Sequence, residues 1–210
     1  MSKDFEKLRS LMVEEQLVPR SIKSKAVLDA MRTVPRHLFV PENMQNFAYN
    51  DSPLSIGSAQ TISQPYIVAY MTEQLEPCRG MKILEIGTGS GYQAVILSFL
   101  GCEVYTIELL EELSDGAKKI FAELGCNNIK VKHGNGFLGW PDEAPFDAII
   151  ITAAPEKIPL KLIDQLKEDG KMILPVGPAC SVQILKLIIK KDKKIIEKDL
   201  LPVRFVPMKE

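Results

Sequence analysis

The chain is poor in histidine, cysteine and tryptophan, with two, four and one of them in 210 residues. Only His37 and His133 can supply imidazole, which argues against a metal centre, because zinc sites draw on clustered Cys and His. Cys78, Cys102, Cys126 and Cys180 contain no Cys-x-x-Cys pair, and a chain of this length does not depend on disulfide staples. Free thiols in a reducing compartment are the expectation. No apolar run approaches ~20 residues, so no membrane-spanning helix is expected. The opening Met1-Ser2-Lys3-Asp4-Phe5 is charged and lacks a signal peptide's apolar stretch, which makes the cytoplasm the default. Nor does one charge dominate: 26 Lys and Arg face 27 Asp and Glu, for a net charge of -1. Phosphate binding needs clustered bases, so neither nucleic acid nor a membrane surface is an expected partner. The densest basic stretch, Lys186–Lys198, alternates with Ile and Leu and reads as a strand hairpin with a wet face. No repeat or low-complexity segment is visible.

Hydrophobic residues make up 46% of the chain, and a domain of this size buries roughly 70% of its unfolded surface. One domain over residues 1–210 is expected, with N-terminal helices and a substrate loop in 1–78 and a ligand-binding core and terminal hairpin in 79–210. Phe5, Leu8, Leu11 and Met12 recur at helical spacing, as do Val27, Leu28 and Met31 behind a candidate N-cap, Ser24. Tyr49 to Pro65 mixes Gly, Pro, Ser and Thr without a period and reads as a long ordered loop. Pro65 opens a helix running to about Leu75, with Ser63 as its N-cap.

From Met81 the pattern becomes strand–helix alternation. Strands are predicted at Met81–Ile86, Cys102–Ile107, Ile129–His133, Phe146–Thr152 and Met172–Val176. Helices are predicted at Tyr92–Leu100, Leu110–Leu124 and Leu160–Lys167, the last closed by Gly170. This alternation implies an α/β fold with a doubly wound, Rossmann-like parallel sheet. Val182–Ile189 and Ile195–Val206 have no helix between them and should form a C-terminal antiparallel hairpin. That ending suits a methyltransferase better than a dehydrogenase.

The sharpest local signal is Leu84-Glu85-Ile86-Gly87-Thr88-Gly89-Ser90-Gly91-Tyr92, where three glycines within five residues join a strand to a helix. Missing Cβ atoms let a ligand approach the main chain, at the strand end where open sheets bind ligands. The spacing is Gly-x-Gly-x-Gly, not the Gly-x-Gly-x-x-Gly of dinucleotide sites, which place a pyrophosphate on a helix N-terminus. It suits S-adenosyl-L-methionine, an amino acid joined to a nucleoside without phosphate. Glu85 stands where a carboxylate meets the methionine ammonium, directly or through water. Glu108, about twenty residues on, ends the second strand where a carboxylate accepts ribose hydroxyls. Gly134-Asn135-Gly136 follows the third strand; it suits the adenine rim and also suits a simple turn.

Several longer segments carry a resemblance. They are Val34-Pro35-Arg36-His37-Leu38-Phe39-Val40-Pro41, Tyr49 through Gly57, Gln60-Thr61-Ile62-Ser63-Gln64-Pro65, Gly139-Trp140-Pro141, Ala144-Pro145-Phe146-Asp147-Ala148, Leu174-Pro175-Val176-Gly177 and Val203-Arg204-Phe205-Val206-Pro207. In this order, over nearly the whole chain, they resemble the protein-L-isoaspartate O-methyltransferases. The resemblance implies a class I methyltransferase fold and transfer of a methyl group to the free carboxylate of isoaspartyl residues in damaged proteins. It implies Ser63 as the active-site serine, Gln60 and Thr61 beside the cofactor along with Thr88, and no metal. One departure stands out: Asn135 occupies the middle of a motif that is usually Gly-Asp-Gly.

Such a reaction needs little acid–base chemistry, since a carboxylate with a pKa near ~4 is already ionised at neutral pH. The missing Cys–His or Ser–His–Asp set fits that. Ser63 and Thr61 would aim the substrate oxygen, and the peptide would pair its main chain near Ile62 and Val206. His37 reads as structural, and Trp140 as a core or rim aromatic. The chain is expected to act as a monomer on isoaspartyl peptides and proteins. Competing readings are another class I methyltransferase acting on a small molecule or RNA, a nicotinamide-dependent oxidoreductase, and a non-catalytic cofactor binder.

Overall fold

The structure, a computed structural model, describes residues 4–179, 181–192 and 194–210. Helices α1 (Phe5–Met12) and α2 (Lys25–Thr33) open the chain. Asp4 caps the first by accepting from Lys7 N at 3.0 Å, and Ser24 caps the second by accepting from Val27 N, as expected. Leu11, placed by spacing on the buried stripe, is exposed instead. His37 stacks on Phe5 with ring centroids 4.0 Å apart, and its Nδ1 meets the Tyr49 hydroxyl at 2.8 Å. Its role is structural, as read.

The segment expected as a loop holds a small hairpin, β1 (Leu54–Gly57) and β2 (Gln60–Ile62). Its two-residue turn puts both Ser58 and Ala59 at positive φ, 50° and 55°. That conformation favours Asn-Gly, so Ser-Ala gives no hairpin signal in the sequence. Helix α3 (Pro65–Leu75) follows, with Pro65 in its first turn. Its N-cap is Gln64, not Ser63, so the expected capping role of Ser63 is corrected.

The core comprises β3 (Lys82–Ile86), α4 (Tyr92–Phe99), β4 (Glu103–Glu108), α5 (Glu111–Glu123), β5 (Ile129–His133), β6 (Phe146–Ile151), α6 (Leu160–Asp164), β7 (Leu166–Val176), β8 (Gln183–Lys191) and β9 (Lys194–Val203). They build a seven-stranded sheet in the order β5-β4-β3-β6-β7-β8-β9, parallel through β7 and antiparallel at β8 and β9. This is the expected mostly parallel sheet with a terminal hairpin. Alternate residues feed two cores. Ile83, Val104, Ala148 and Ile150 pack toward the N-terminal helices, α3 and α4. Leu84, Ile86, Ile149 and Ile151 pack toward α6 and Trp140. Both faces are dry, which explains the unbroken apolar run of β6, and each such side chain contributes roughly 1.5–3 kcal/mol. Trp140 meets Tyr105 edge-on at 5.6 Å, a core contact.

Two boundaries differ from expectation. The helix predicted to reach Lys167 stops at Asp164, because Leu166 already pairs with Phe146 of β6. Gly170 therefore lies within β7 rather than closing a helix, where a Cβ would come within 2.8 Å of the Lys167 carbonyl oxygen. At the other end β9 stops at Val203, so Val206 lies beyond the strand expected to contain it; its carbonyl accepts from Ala154 N at 2.8 Å. Cys78, Cys102 and Cys126 are free thiols, and Cys180 lies outside the described residues. Among the described residues no helix is long and apolar enough to cross a membrane.

Candidate active site

The chain runs outward from β3 to β4 and β5, then returns to β6 on the other side of β3. Open α/β sheets bind ligands at such a reversal, beyond the carboxyl ends of the strands. Here a cleft opens, lined on one side by Glu85 through Ser90, Glu108 and Gly136, and on the other by Gln60, Thr61, Ile62 and Ser63.

The glycine loop is fixed by main-chain bonds. Gly87 N and Thr88 N donate to the Ile107 carbonyl at 2.9 and 3.3 Å. At Gly87, with φ 93°, a Cβ would stand 2.6 Å from Thr152 Oγ1, which donates to the Gly87 carbonyl at 2.7 Å. Gly91 differs. It has φ 88° and is the residue before α4, and a Cβ there would meet the Phe121 ring at 2.6 Å. It is buried and does not line the cleft, so its glycine serves helix packing.

The two acids from neighbouring strands are both buried beside the cleft but differ in their partners. Glu108 accepts from Gly89 N at 2.8 Å with one oxygen and from Leu110 N at 3.0 Å with the other, and it still lines the cleft. Each oxygen keeps a lone pair for a ligand hydroxyl. Glu85 is fully buried. Its register partner Thr106 donates to Oε2 at 2.5 Å, and Thr106 also meets Thr88 Oγ1 at 2.6 Å. Glu85 Oε1 has no partner. Burial pushes its carboxyl up to about 8, with the neighbouring charge of Glu108 adding to the rise and the Thr106 bond opposing it. An orphaned buried oxygen beside the cleft fits a ligand ammonium, whose charge would offset that burial.

Asn135 does not line the cleft; its Oδ1 accepts from Phe137 N at 2.8 Å, so it caps a turn. Gly136 does line it. On the opposite wall Ile62 is a buried hairpin residue whose side chain joins the core. Thr61 and Ser63 are different: neither hydroxyl has a partner among the described residues. The Ser63 carbonyl accepts from Arg36 Nη2 at 2.8 Å, and Arg36 Nε donates to the Ala48 carbonyl at 2.8 Å. Arg36 is completely buried, which lowers its pKa to about 10 and leaves it charged at neutral pH. This tether was not read from the sequence, because a buried arginine there has no local pattern. Thr152, one residue past β6, was read only as the last residue of a buried strand, so its place in the cleft was missed.

A second groove adjoins the first. Thr61, Ser63, Thr152 and Val206 line both. Tyr66, Ile67, Leu201 and Phe205 supply much of its apolar lining. Among the described residues no group of His, Cys, Asp and Glu is arranged to hold a metal.

A Rossmann-like sheet closed by an antiparallel hairpin, with a glycine loop facing two strand-end acids, defines a class I S-adenosylmethionine-dependent methyltransferase. The family model for protein-L-isoaspartate(D-aspartate) O-methyltransferase matches residues 7–210, and the chain belongs to that family. It is 54% identical over 199 residues to a protein-L-isoaspartate O-methyltransferase of Opitutus terrae, covering 95% of this chain and 85% of that one. It is 52% identical to one of Gloeobacter violaceus, covering 94% of this chain and 96% of that one. A solved structure from Plasmodium falciparum, described as such a methyltransferase in complex with S-adenosyl-L-homocysteine, superposes with a TM-score of 0.84 at 27% identity, covering 96% of this chain and 98% of that one.

Proposed function

We propose that this chain transfers the methyl group of S-adenosyl-L-methionine to the free carboxylate of L-isoaspartyl residues in peptides and proteins, the step that initiates their repair. The observation that carries the reading is the junction of the two cavities. Thr61, Ser63, Thr152 and Val206 line both a cleft suited to an amino acid–nucleoside ligand and an adjoining groove with apolar side chains that could receive a peptide. Family membership over residues 7–210 supports the same activity.

When bound, the cofactor would supply an electrophilic methyl carbon on a positively charged sulfur; a substrate carboxylate oxygen would give the electron pair of the new carbon–oxygen bond, and the pair of the broken carbon–sulfur bond would stay on sulfur as a neutral thioether. The residues of the chain bind and aim. Glu85 Oε1 would receive the ammonium and Glu108 the ribose hydroxyls, and Gly87 to Gly89 would let the ligand lie against main chain, with Thr88 anchored behind them through Thr106. Gly136 and Gln60 also line the cleft. The Ser63 and Thr61 hydroxyls donate to the substrate carboxylate and hold one oxygen in line with the methyl carbon, and alignment of this kind is worth several kcal/mol. The peptide backbone runs past Ile62 and Val206. The proposal includes a cytoplasmic monomer acting on proteins rather than on nucleic acid or membranes. The even balance of 26 basic and 27 acidic residues supports that choice of partner.

The test is radiolabelled methyl transfer to an isoaspartyl peptide and to the same peptide with ordinary aspartate. Label that appears only on the isoaspartyl peptide and is released as methanol in mild base is expected. Base-stable label, or equal labelling of both peptides, contradicts the reading.

A further inference from the structure

The groove beside Ser63 has an asymmetric charge. Its lining includes two charged side chains, Arg20 and Arg204, and no acid. Arg20 is already engaged: it pairs with Asp51 at 2.6 Å and lies over the Tyr66 ring, 3.4 Å from the centroid. Arg204 is not. It is exposed, one residue past the end of β9, and has no ion pair or hydrogen bond among the described residues. The protein as a whole carries a charge of only -1, so this cation is a local feature rather than part of a general field.

Resting on the function proposed above, we propose that Arg204 is a specificity-determining residue, which favours isoaspartyl peptides carrying an Asp or Glu side chain close to the damaged residue. A guanidinium presents five N–H donors in a planar fork that matches a carboxylate. A peptide whose isoaspartyl carboxylate reaches Ser63 has its flanking residues in this groove, because Ser63, Thr61 and Val206 line both cavities. Phe205 and Leu201 offer apolar contact to any flank, whereas Arg204 discriminates by charge. Since Arg204 is exposed, the pair is screened and the preference is moderate, about two- to fivefold.

The experiment uses isoaspartyl peptides with acetylated and amidated ends that carry Glu, Gln or Lys within two residues of the isoaspartate. The Glu peptide should show a kcat/KM about two- to fivefold above the Gln peptide and the Lys peptide should fall below it, with the difference in KM and diminished at 0.5 M salt. Arg204→Gln should bring the Glu-to-Gln ratio close to one, and Arg204→Glu should reverse the order of Glu and Lys. A merely structural role would change all three peptides together. Equal rates for Glu and Gln peptides in the parent protein, or an unchanged ratio in Arg204→Gln, overturn the inference. So does a preference for a free C-terminal carboxylate with neutral flanks but none for the amidated Glu peptide. Failure to methylate any isoaspartyl peptide would instead remove the underlying function.

Discussion

The two walls of the cleft are held in different ways. The glycine wall is bound by its own main chain and by Glu108, through bonds from Gly87 N, Thr88 N and Gly89 N. The facing wall, Gln60 to Gln64, is tied from a distance. Arg36 holds the Ser63 carbonyl, and Gln64 Nε2 donates to the Asp51 carbonyl at 3.1 Å. The first arrangement leaves little to rearrange when a ligand binds. The second leaves the Thr61 and Ser63 hydroxyls free to turn toward a substrate oxygen. Substitutions on the glycine wall should therefore act on cofactor affinity, and those on the facing wall on turnover.

Ser63→Ala is the strongest way to break that contrast. Loss of the hydroxyl should lower kcat by about 100-fold, because a misdirected nucleophile costs that order of rate. Cofactor Kd, measured by calorimetry, should move less than threefold. Equal turnover for variant and parent would remove Ser63 from the mechanism, and a loss seen only in cofactor affinity would assign it to the other wall.

Glu85 tests the glycine wall. Its folded pKa, pushed up to about 8, lies above the ordinary value of 4.5. The folded protein therefore holds a proton that the unfolded chain has released. Stability of the ligand-free protein should be greatest below about pH 4.5, as far as this group decides it, and should be lost as pH rises through about 8. Glu85→Gln should flatten that slope in thermal melts, since the amide keeps the shape and cannot ionise. The same substitution should weaken cofactor binding by about tenfold or more, the usual scale for a lost charged hydrogen bond. Parent cofactor affinity should also rise with pH toward 8, because the ammonium favours the ionised carboxylate. An affinity that is flat with pH in both proteins would show that Glu85 does not meet the ligand charge.

Sequence periodicity located β3, β4, β5 and β6 within a residue, because β3, β4 and β6 are buried on both faces and their apolar runs leave few alternatives, whereas β7 begins six residues before its expected start at Met172 and β9 stops three residues short of Val206. The acids Glu85 and Glu108 were visible too, since strand ends fix their place. What stayed hidden depended on pairing that overrides local preference or on contacts distant in sequence. The turn at Ser58-Ala59 is held by strand pairing against its own preference, Leu166 is drawn into β7 by Phe146, and Arg36 reaches Ser63 across 27 residues. Gly91 belongs to the same group: the sequence assigns it to the ligand, and the structure sets it against Phe121. Gly91→Ala should accordingly cost about 1–3 kcal/mol of stability through its positive φ and the crowded ring. In thermal melts and cofactor titrations, Gly87→Ala should weaken cofactor binding more than Gly91→Ala does. The reverse order would place Gly91 in the ligand wall.

The smallest expected effect belongs to Asn135, where the family pattern has Asp. A charge there would matter to a ligand only if the side chain reached it. Its Oδ1 instead accepts from Phe137 N at 2.8 Å, which fixes the turn after β5, and the residue does not line the cleft. An aspartate accepts the same bond, so Asn135→Asp should preserve the turn. The added charge lies close to Gly136, which does line the cleft, so some electrostatic effect on a cationic cofactor remains, weakened by solvent. Cofactor Kd should tighten by less than threefold, with kcat unchanged within the same range. Tightening of tenfold or more would mean that residue 135 turns away from Phe137 to bond the ligand directly, so that the rim after β5 would be rearranged on binding, unlike the glycine wall beside it.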